Sequence, residues 1–157
     1  MKVEIAKLTP RDIKDFSDLI KVFLDAFEWE AFSLPTETYL QKLLSNKSFL
    51  VFVAKRDDKL VGGLTAHVLE RYDTEKPSAY IYDIAVLTDH QRKGIGRLLI
   101  ATLNDFCQKN GFNEVFVQAE TEDIHTVNFY RKTPISSEIK ATHFTYSFGR
   151  NSLQDDY

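Results

Sequence analysis

The 157-residue chain has little of what marks a secreted, metal-binding or membrane protein. It contains one cysteine, Cys107, so no internal disulfide can form, and a lone thiol fits a reducing cytoplasm. The four histidines are scattered without a cysteine cluster, so we expect no metal. No apolar run approaches the roughly 20 residues of a membrane span, and the first residues alternate like a strand rather than a signal peptide.

The chain also lacks a strong excess of charge of either sign. The chain has 20 basic and 23 acidic residues, and its formal net charge is −3. No stripe of Lys and Arg with interleaved aromatics appears, so nucleic acid is not an expected partner. A mildly acidic surface favours a cationic substrate instead. The length predicts a single domain over residues 1–150, followed by a polar tail at 151–157.

One stretch, residues 80–110, organises the chain. Its first part, residues 80–86, reads Tyr-Ile-Tyr-Asp-Ile-Ala-Val, and this aromatic and β-branched pattern predicts a strand. Apolar side chains then recur at spacings of three and four over residues 95–106, which predicts a helix. We expect Gly111 to end this helix from the position just after it.

Two glycines lie where the strand turns into the helix. Residues 91–96 read Gln-Arg-Lys-Gly-Ile-Gly, which is not a Walker loop. Leu99 stands where a dinucleotide fingerprint would have its third glycine. Free backbone N–H groups and the positive end of the helix dipole favour an anion there, and glycine lets a phosphate approach the main chain. The pattern therefore predicts a phosphate-binding loop.

The remaining pattern predicts an α/β fold. The order of elements reads β α α β β β α β α β β, a mixed sheet with helices on both faces. Its last members are a strand at residues 114–120, a short helix at 122–132, and two strands over Ile135–Phe148. Gly62 and Gly63 lie inside a predicted strand and indicate a bulge.

In this order of elements, the glycine loop resembles the pyrophosphate loop of the GCN5-related N-acetyltransferases (GNAT), which use acetyl-CoA. The resemblance covers nearly the whole chain. It implies a mostly antiparallel sheet with a splayed parallel strand pair at the coenzyme site. The coenzyme contacts that it implies come from the central strand, the loop and the short helix: Ile84, Ala85, Val86, Gln91, Arg92, Lys93, Gly94, Ile95, Gly96, Arg97, Asn128 and Tyr130.

The short helix carries a candidate general acid. Residues 127–132 read Val-Asn-Phe-Tyr-Arg-Lys. In the resembled family, a Tyr in the matching Phe-Tyr-x-Lys segment lies near the coenzyme sulfur and protonates the leaving thiolate, a role that the resemblance implies for Tyr130. The alternative is a core or interface aromatic. Thr133 and Pro134 follow where the family usually continues Lys-Leu-Gly, which changes the turn after the helix.

A carboxylate in the central strand is a candidate base. Asp83 stands among apolar residues, where a charge is costly unless it is paired or used. It is either a structural Asp bonded to backbone, or a group that holds a substrate ammonium and accepts its proton. Further acids cluster at predicted cleft edges, where they would attract a multiply charged amine or form a solvated face: Asp25, Glu28, Glu30, Glu120, Glu122 and Asp123.

Several segments look like those of the aminoglycoside 3-N-acetyltransferases, which acetylate the 3-amino group of 2-deoxystreptamine in drugs such as gentamicin. They are residues 78–86, Val117-Gln118-Ala119 followed by an acid, Phe129-Tyr130 and His143-Phe144. The resemblance implies antibiotic resistance, a homodimer, and aminocyclitol contacts from Asp83 and the acids after Gln118. We expect direct transfer in a ternary complex, with Asp83, Tyr130 and Glu120 as catalytic residues. The expected substrate contacts are Tyr82, Asp83, Glu120, Glu122, Asp123, Glu28 and Glu30.

Three functions stay open from the residues themselves. The first is an acetyl-CoA-dependent aminoglycoside acetyltransferase. The second is the same class of enzyme with a polyamine or protein amine as acceptor. The third is a non-catalytic module that binds an acyl-CoA or a partner. Asp83, Tyr130 and the acidic clusters favour an enzyme, but they do not separate the first two functions.

Overall fold

The structure is a computed structural model that describes residues 2–30 and 33–149. Its contacts divide the chain into two compact units, Met1–Val117 and Gln118–Tyr157. The first unit contains β1 (Val3–Lys7), α1 (Ile13–Ala26), α2 (Glu37–Ser45), β2 (Phe49–Arg56), β3 (Lys59–Leu69), β4 (Ser78–Val86), a 3₁₀ turn (Thr88–His90), α3 (Ile95–Lys109) and β5 (Glu114–Val117). The second contains α4 (Ile124–Arg131). No helix in the described ranges is long and apolar enough to cross a membrane.

The five strands form one sheet in the order β1-β2-β3-β4-β5. Neighbours are antiparallel except β4 and β5, which run parallel. This confirms the predicted α/β architecture, with a mostly antiparallel sheet and one parallel pair. The alternation of β2 places helices on both faces. Val51 and Val53 join the core with α1 and α2, whereas the Phe52 ring between them meets Phe106 of α3 at 5.8 Å.

The two glycines of β3 lie beside a bulge and also allow close packing. Ala54 pairs with Gly62 and Lys55 with Leu60, so Val61 is the extra residue of β3, and this confirms a bulge next to the glycines. A Cβ on Gly63 would lie 2.6 Å from a methyl of Leu19 and 2.6 Å from the Phe52 carbonyl oxygen. Since no side chain fits there, glycine lets α1 approach the sheet.

A bulge also occurs in β4, the strand that carries Asp83. Thr65 pairs with Asp83, while the next residue of β3, Ala66, pairs with Ile81, so Tyr82 is the extra residue of β4. Residues that are directly opposite share a face, and Thr65 lies two residues after Gly63, which faces Leu19 of α1. The pairing with Thr65 therefore places Asp83 on the α1 face of the sheet.

The chain after β5 differs from its prediction. The strand expected at residues 114–120 ends at Val117, and the structure assigns no strand anywhere in residues 118–149. The two strands predicted over Ile135–Phe148 are therefore wrong. An alternating apolar pattern forms a strand only where a neighbouring strand supplies hydrogen bonds, and such a neighbour is not a property of the segment itself.

Candidate active site

β4 is paired with the parallel strand β5 over only the first half of its length. Its pairing with β5 runs from Ser78 to Ile81, where it meets the last residue of β5, Val117. β4 continues to Val86, and in the described ranges its later residues pair only with β3. On the other side, the backbone groups of residues 84–86 therefore have no strand partner in the described ranges, although the Val86 carbonyl oxygen accepts a bond from the Gln91 side chain. Ile84, Ala85 and Val86, which sequence analysis assigned to the coenzyme, lie in this length.

The Asp83 carboxyl lies in the same half of β4 and is partly buried. It makes no hydrogen bond or ion pair with any described residue, which contradicts a structural Asp bonded to backbone. Burial raises its pKa from the usual 3.8 to about 6. At pH 7 the group is ionised for most of the time, yet it binds a proton more readily than an exposed aspartate. A carboxylate in this condition suits a general base or a site for a cation.

Aromatic side chains continue across the sheet beside Asp83. The ring of His67 lies 5.5 Å from that of Tyr82 and 5.2 Å from that of Phe49. Tyr80 stacks on Phe116 of β5 at 4.9 Å. Tyr82, predicted as a substrate contact, is 49% exposed and therefore reachable. Sequence analysis missed His67 because only the pairing of β3 with β4 brings it next to the candidate site.

The glycine loop joins the end of β4 to α3. The Gln91 side-chain amide donates to the Val86 carbonyl oxygen at 2.9 Å, so Gln91 fastens the loop to the strand. Gly94 precedes the helix at φ 82°, a left-handed conformation that favours glycine, and Arg92 also has a left-handed φ of 60°. The predicted loop thus has the strand-to-helix geometry that its sequence indicates.

The start of α3 presents donors and positive charge. Leu98 N–H is bonded to the Gly94 carbonyl, so the N–H groups of the three preceding residues have no acceptor within the helix. Ile95 has a buried side chain and could contribute only its backbone. The three cationic side chains here are exposed and form no ion pair within the described part of the chain: Arg92, Lys93 and Arg97.

The second unit holds the other predicted catalytic residues. Asp123 caps α4, because its carboxylate accepts hydrogen bonds from Thr126 N at 3.2 Å and Thr126 Oγ1 at 2.7 Å. This predicted substrate contact therefore has a structural role. Glu120 and Glu122 just before it are exposed, as is Asn128 in the helix.

Tyr130 occupies the last turn of α4, partly buried. Its ring packs edge-on against Phe129 at 5.2 Å. Its carbonyl oxygen accepts bonds from Thr133 N at 3.0 Å and Thr133 Oγ1 at 2.6 Å. Thr133, which replaces the residue usual in the resembled family, therefore satisfies a carbonyl at the helix end and fixes the backbone of Tyr130.

Two predicted substrate contacts lie just after α1. Glu28 has a left-handed φ of 53°, and both Glu28 and Glu30 are exposed. Neither side chain forms a hydrogen bond or ion pair with the residues that the structure describes. Their charges are therefore available, but no contact joins them to Asp83. Among residues 2–30 and 33–149, no group of three or more His, Cys, Asp or Glu could hold a metal ion.

Comparison with known proteins gives one matching family and several similar structures. The model of the Acetyltransferase (GNAT) family matches residues 16–133. An aminoglycoside acetyltransferase from an uncultured soil metagenomic sample, solved in complex with sisomicin, is 46% identical, with 94% of this chain and 97% of that chain covered and a TM-score of 0.91. Its complex with trehalose gives 47% identity and the same coverage and TM-score.

Two further proteins are less similar. A second aminoglycoside acetyltransferase from an uncultured soil metagenomic sample is 29% identical, with 94% of this chain and 100% of that chain covered and a TM-score of 0.83. N-acetyltransferase 8B of Rattus norvegicus is 25% identical over 120 residues, which are 69% of this chain and 54% of that protein. The chain spans about half the length of the curated relatives that it matches first.

Proposed function

The chain belongs to the acetyltransferase (GNAT) family, and from this we propose that it transfers the acetyl group of acetyl-CoA to an amine of an aminoglycoside. The acceptor that we propose is the 3-amino group of a 2-deoxystreptamine ring. Support for the substrate class comes from the soil aminoglycoside acetyltransferase that is 46% identical and was solved with sisomicin. The antibiotic-modifying role of this chain is part of the same proposal.

The observation that carries this proposal is the unpartnered Asp83 carboxylate. It is partly buried, it has no hydrogen bond or ion pair in the described ranges, and its pKa is raised to about 6. A carboxylate without a partner in such a place is costly to the fold, so a cationic ligand that pairs with it would recover part of that cost. An aminoglycoside carries several ammonium groups and is therefore a suitable partner.

The residues of the first unit also fit acetyl-CoA. The free edge of β4 over residues 84–86 offers backbone donors and acceptors to an extended, amide-containing arm. The first N–H groups of α3, which have no acceptor within the helix, suit a pyrophosphate. So do Arg92, Lys93 and Arg97, which form no ion pair with the residues that the structure describes. Gly94 supplies the left-handed residue from which the helix begins.

The mechanism that we propose is direct transfer in a ternary complex. Acetyl-CoA supplies the acetyl group as a thioester. Asp83 accepts a proton from the substrate ammonium, directly or through water, with Glu120 as the alternative base. The free amine then attacks the thioester carbon, and the new C–N bond replaces the C–S bond as the nitrogen releases its second proton to solvent. A backbone N–H at residues 84–86 holds the carbonyl oxygen as charge develops on it. The Tyr130 hydroxyl donates a proton to the departing sulfur.

Replacement of Asp83 by Asn tests the proposal, because it keeps the shape of the side chain and removes its charge. We expect turnover of gentamicin to fall by ~10²–10⁴ in Asp83→Asn, the range for loss of a general base. Calorimetry should find unchanged affinity for coenzyme A. Asp58→Asn is the matched control, since Asp58 lies in the exposed β2–β3 turn at φ 67°, which Asn tolerates.

Thiol release with aminoglycosides, polyamines and peptides separates the candidate acceptors. Turnover of a polyamine or peptide in preference to every aminoglycoside would contradict the substrate class while leaving the enzyme class intact. Normal gentamicin acetylation by Asp83→Asn would contradict the role of Asp83. The position of the new amide, located by NMR of the product, tests the 3-amino assignment.

A further inference from the structure

The 3₁₀ turn that precedes the glycine loop is joined by a side-chain bond to the end of β2. Arg56 Nη1 lies 3.2 Å from His90 Nδ1. Arg56 is the last residue of β2, and His90 is the last residue of the turn, immediately before Gln91. A guanidinium only donates hydrogen bonds, so Nδ1 accepts, and the neutral His90 ring carries its proton on Nε2. The bond therefore selects one tautomer of this histidine.

His90 differs from its neighbours in burial. It is partly buried, as is Arg56, whereas the other residues of the range 88–94 are exposed. Arg56 forms no ion pair with any residue that the structure describes, although Asp57 and Asp58 follow it directly in the chain. The guanidinium is therefore bonded to a neutral ring rather than to a carboxylate, and no competing acid holds it away from the turn.

Few hydrogen bonds fix the chain between β4 and α3 from outside. Within the described ranges, two of them join it to strands other than β4. Leu87 N–H donates to the Val61 carbonyl oxygen at 2.8 Å, and Arg56 donates to His90. Arg92, two residues after His90, has a left-handed φ of 60°, a conformation that persists only where the surrounding structure fixes it. The bond from Arg56 is the contact nearest to this residue that comes from β2 or β3.

We propose that Arg56 is a positioning residue for the coenzyme, and that through His90 it holds the glycine loop in the conformation that binds the pyrophosphate. Without this bond the turn would be free on its β2 side, while Gln91 would still fasten it to β4. The loop would then populate arrangements that do not bind a phosphate, and the affinity would fall by the lost fraction of the competent one. The inference rests on the proposed function in that it takes acetyl-CoA as the ligand of the loop.

Calorimetry of the full chain with coenzyme A tests this role. Arg56→Met keeps an unbranched side chain and removes its donors. We expect it to bind coenzyme A about tenfold more weakly, the effect of losing one hydrogen bond to a charged group, with unchanged far-UV circular dichroism. Lys59→Met is the matched control. Lys59 is exposed and pairs with Arg56 across the same hairpin, so its loss removes the same charge without breaking the bond to His90, and binding should stay normal.

Variants of His90 test the same bond from its other side. His90→Phe keeps a ring but has no acceptor, so it should weaken coenzyme A binding about as much as Arg56→Met. The double variant should lose no more than either single variant, because both remove one interaction. His90→Asn should keep the wild-type affinity, since its amide oxygen can still accept a hydrogen bond. Additive losses in the double variant would overturn the proposal. If Arg56→Met fails to fold, the two His90 variants decide the question.

Two further measurements separate positioning from other roles of Arg56. Nitrogen-15 NMR should show the His90 proton on Nε2 in the wild type and a mixture of tautomers in Arg56→Met. A His90 ring with its proton on Nδ1 in the wild type would contradict the bond. Dephospho-coenzyme A, which lacks the 3′-phosphate, should lose affinity by the same factor as coenzyme A. A loss confined to coenzyme A would mean that Arg56 contacts the 3′-phosphate directly, and would overturn action through His90.

The outcomes distinguish this inference from the proposed function. A wild-type chain that binds no coenzyme A would overturn both. Coenzyme A binding that is abolished by Gly96→Val but unchanged in Arg56→Met and His90→Phe would overturn the positioning role alone. Because every readout is binding or NMR of the chain, an acceptor other than an aminoglycoside would leave the result valid.

Discussion

The two candidate catalytic residues Asp83 and Tyr130 lie in different structural surroundings. The Asp83 carboxyl stands on a rigid strand without a partner in the described ranges, so burial alone sets its raised pKa. Tyr130 stands at the end of a short helix whose last turn is closed by Thr133. The carboxyl is therefore poised to exchange a proton with a ligand, while the tyrosine has its backbone fixed by local bonds.

Tyr130→Phe isolates the hydroxyl of the proposed acid. The ring and its packing against Phe129 remain, so the fold should be unaffected. If the hydroxyl protonates the leaving thiolate, turnover should fall by ~10²–10⁴ while coenzyme affinity changes little. Steady-state thiol release and calorimetry measure the two quantities. Tyr72→Phe, at a fully exposed tyrosine, is the matched control. Full activity in Tyr130→Phe would assign the proton to water or to another donor.

At the scale of elements, the junction of β4, the glycine loop and α3 is built as one piece. The bond from Gln91 to the Val86 carbonyl fastens the loop to the strand, and Gly94 turns the chain into the helix. The position of the first helical N–H groups relative to the free edge of β4 is therefore set by local structure.

Gly96→Val tests the proposed phosphate site in this junction. Gly96 lies in the first turn of α3, so a branched side chain would stand beside the N–H groups that a phosphate must reach. We expect coenzyme A affinity to collapse while the helix and the fold survive, because valine has a higher helix propensity than glycine. Calorimetry measures the affinity. Thr102→Val introduces the same side chain further along α3, away from its first turn, and should bind normally. Unchanged affinity in folded Gly96→Val would refute the site.

At the scale of the whole molecule, the Asp83 carboxyl makes folding stability depend on pH. Its pKa is 3.8 in an ordinary setting and about 6 in the folded chain, so between these values the folded state binds more protons than the unfolded state. Stability from this group is therefore present at low pH and lost as the pH rises through about 6. The full shift corresponds to roughly 3 kcal/mol at most.

Asp83→Asn removes this titrating group, and we expect the substitution to stabilise the fold at neutral pH rather than destabilise it. Above about pH 7 the variant should melt at a higher temperature than the wild type, because no buried charge remains without a partner. At about pH 3, below the ordinary pKa of 3.8, the difference should nearly vanish, since the Asp83 carboxyl is then mostly neutral in both the folded and the unfolded state. Scanning calorimetry at both pH values gives the comparison. A variant that melts lower at every pH would show that Asp83 contributes a structural bond instead.

Local patterns in the sequence were sufficient for most of the elements. The apolar spacing of residues 95–106 predicted α3, and the run at residues 80–86 predicted β4. The prediction of two strands over residues 135–148 was wrong because this segment has the pattern of a strand but no neighbouring strand in the structure. The bulge at Tyr82 also escaped prediction, since a bulge is defined by two strands and the sequence of one strand shows only half of it.

The sequence by itself determined most of the helices and strands, where the glycine turn lies and which residue types are available for the proposed acetyl transfer. These features depend on side-chain periodicity and backbone freedom within a few neighbouring residues. Only the tertiary structure decided that Asp83 lacks a partner in the described ranges. It also decided that β4 continues without β5 after Ile81, and that His67 lies beside Tyr82. Each of these depends on register between strands that are distant along the chain, and burial and pairing follow from that register rather than from local composition.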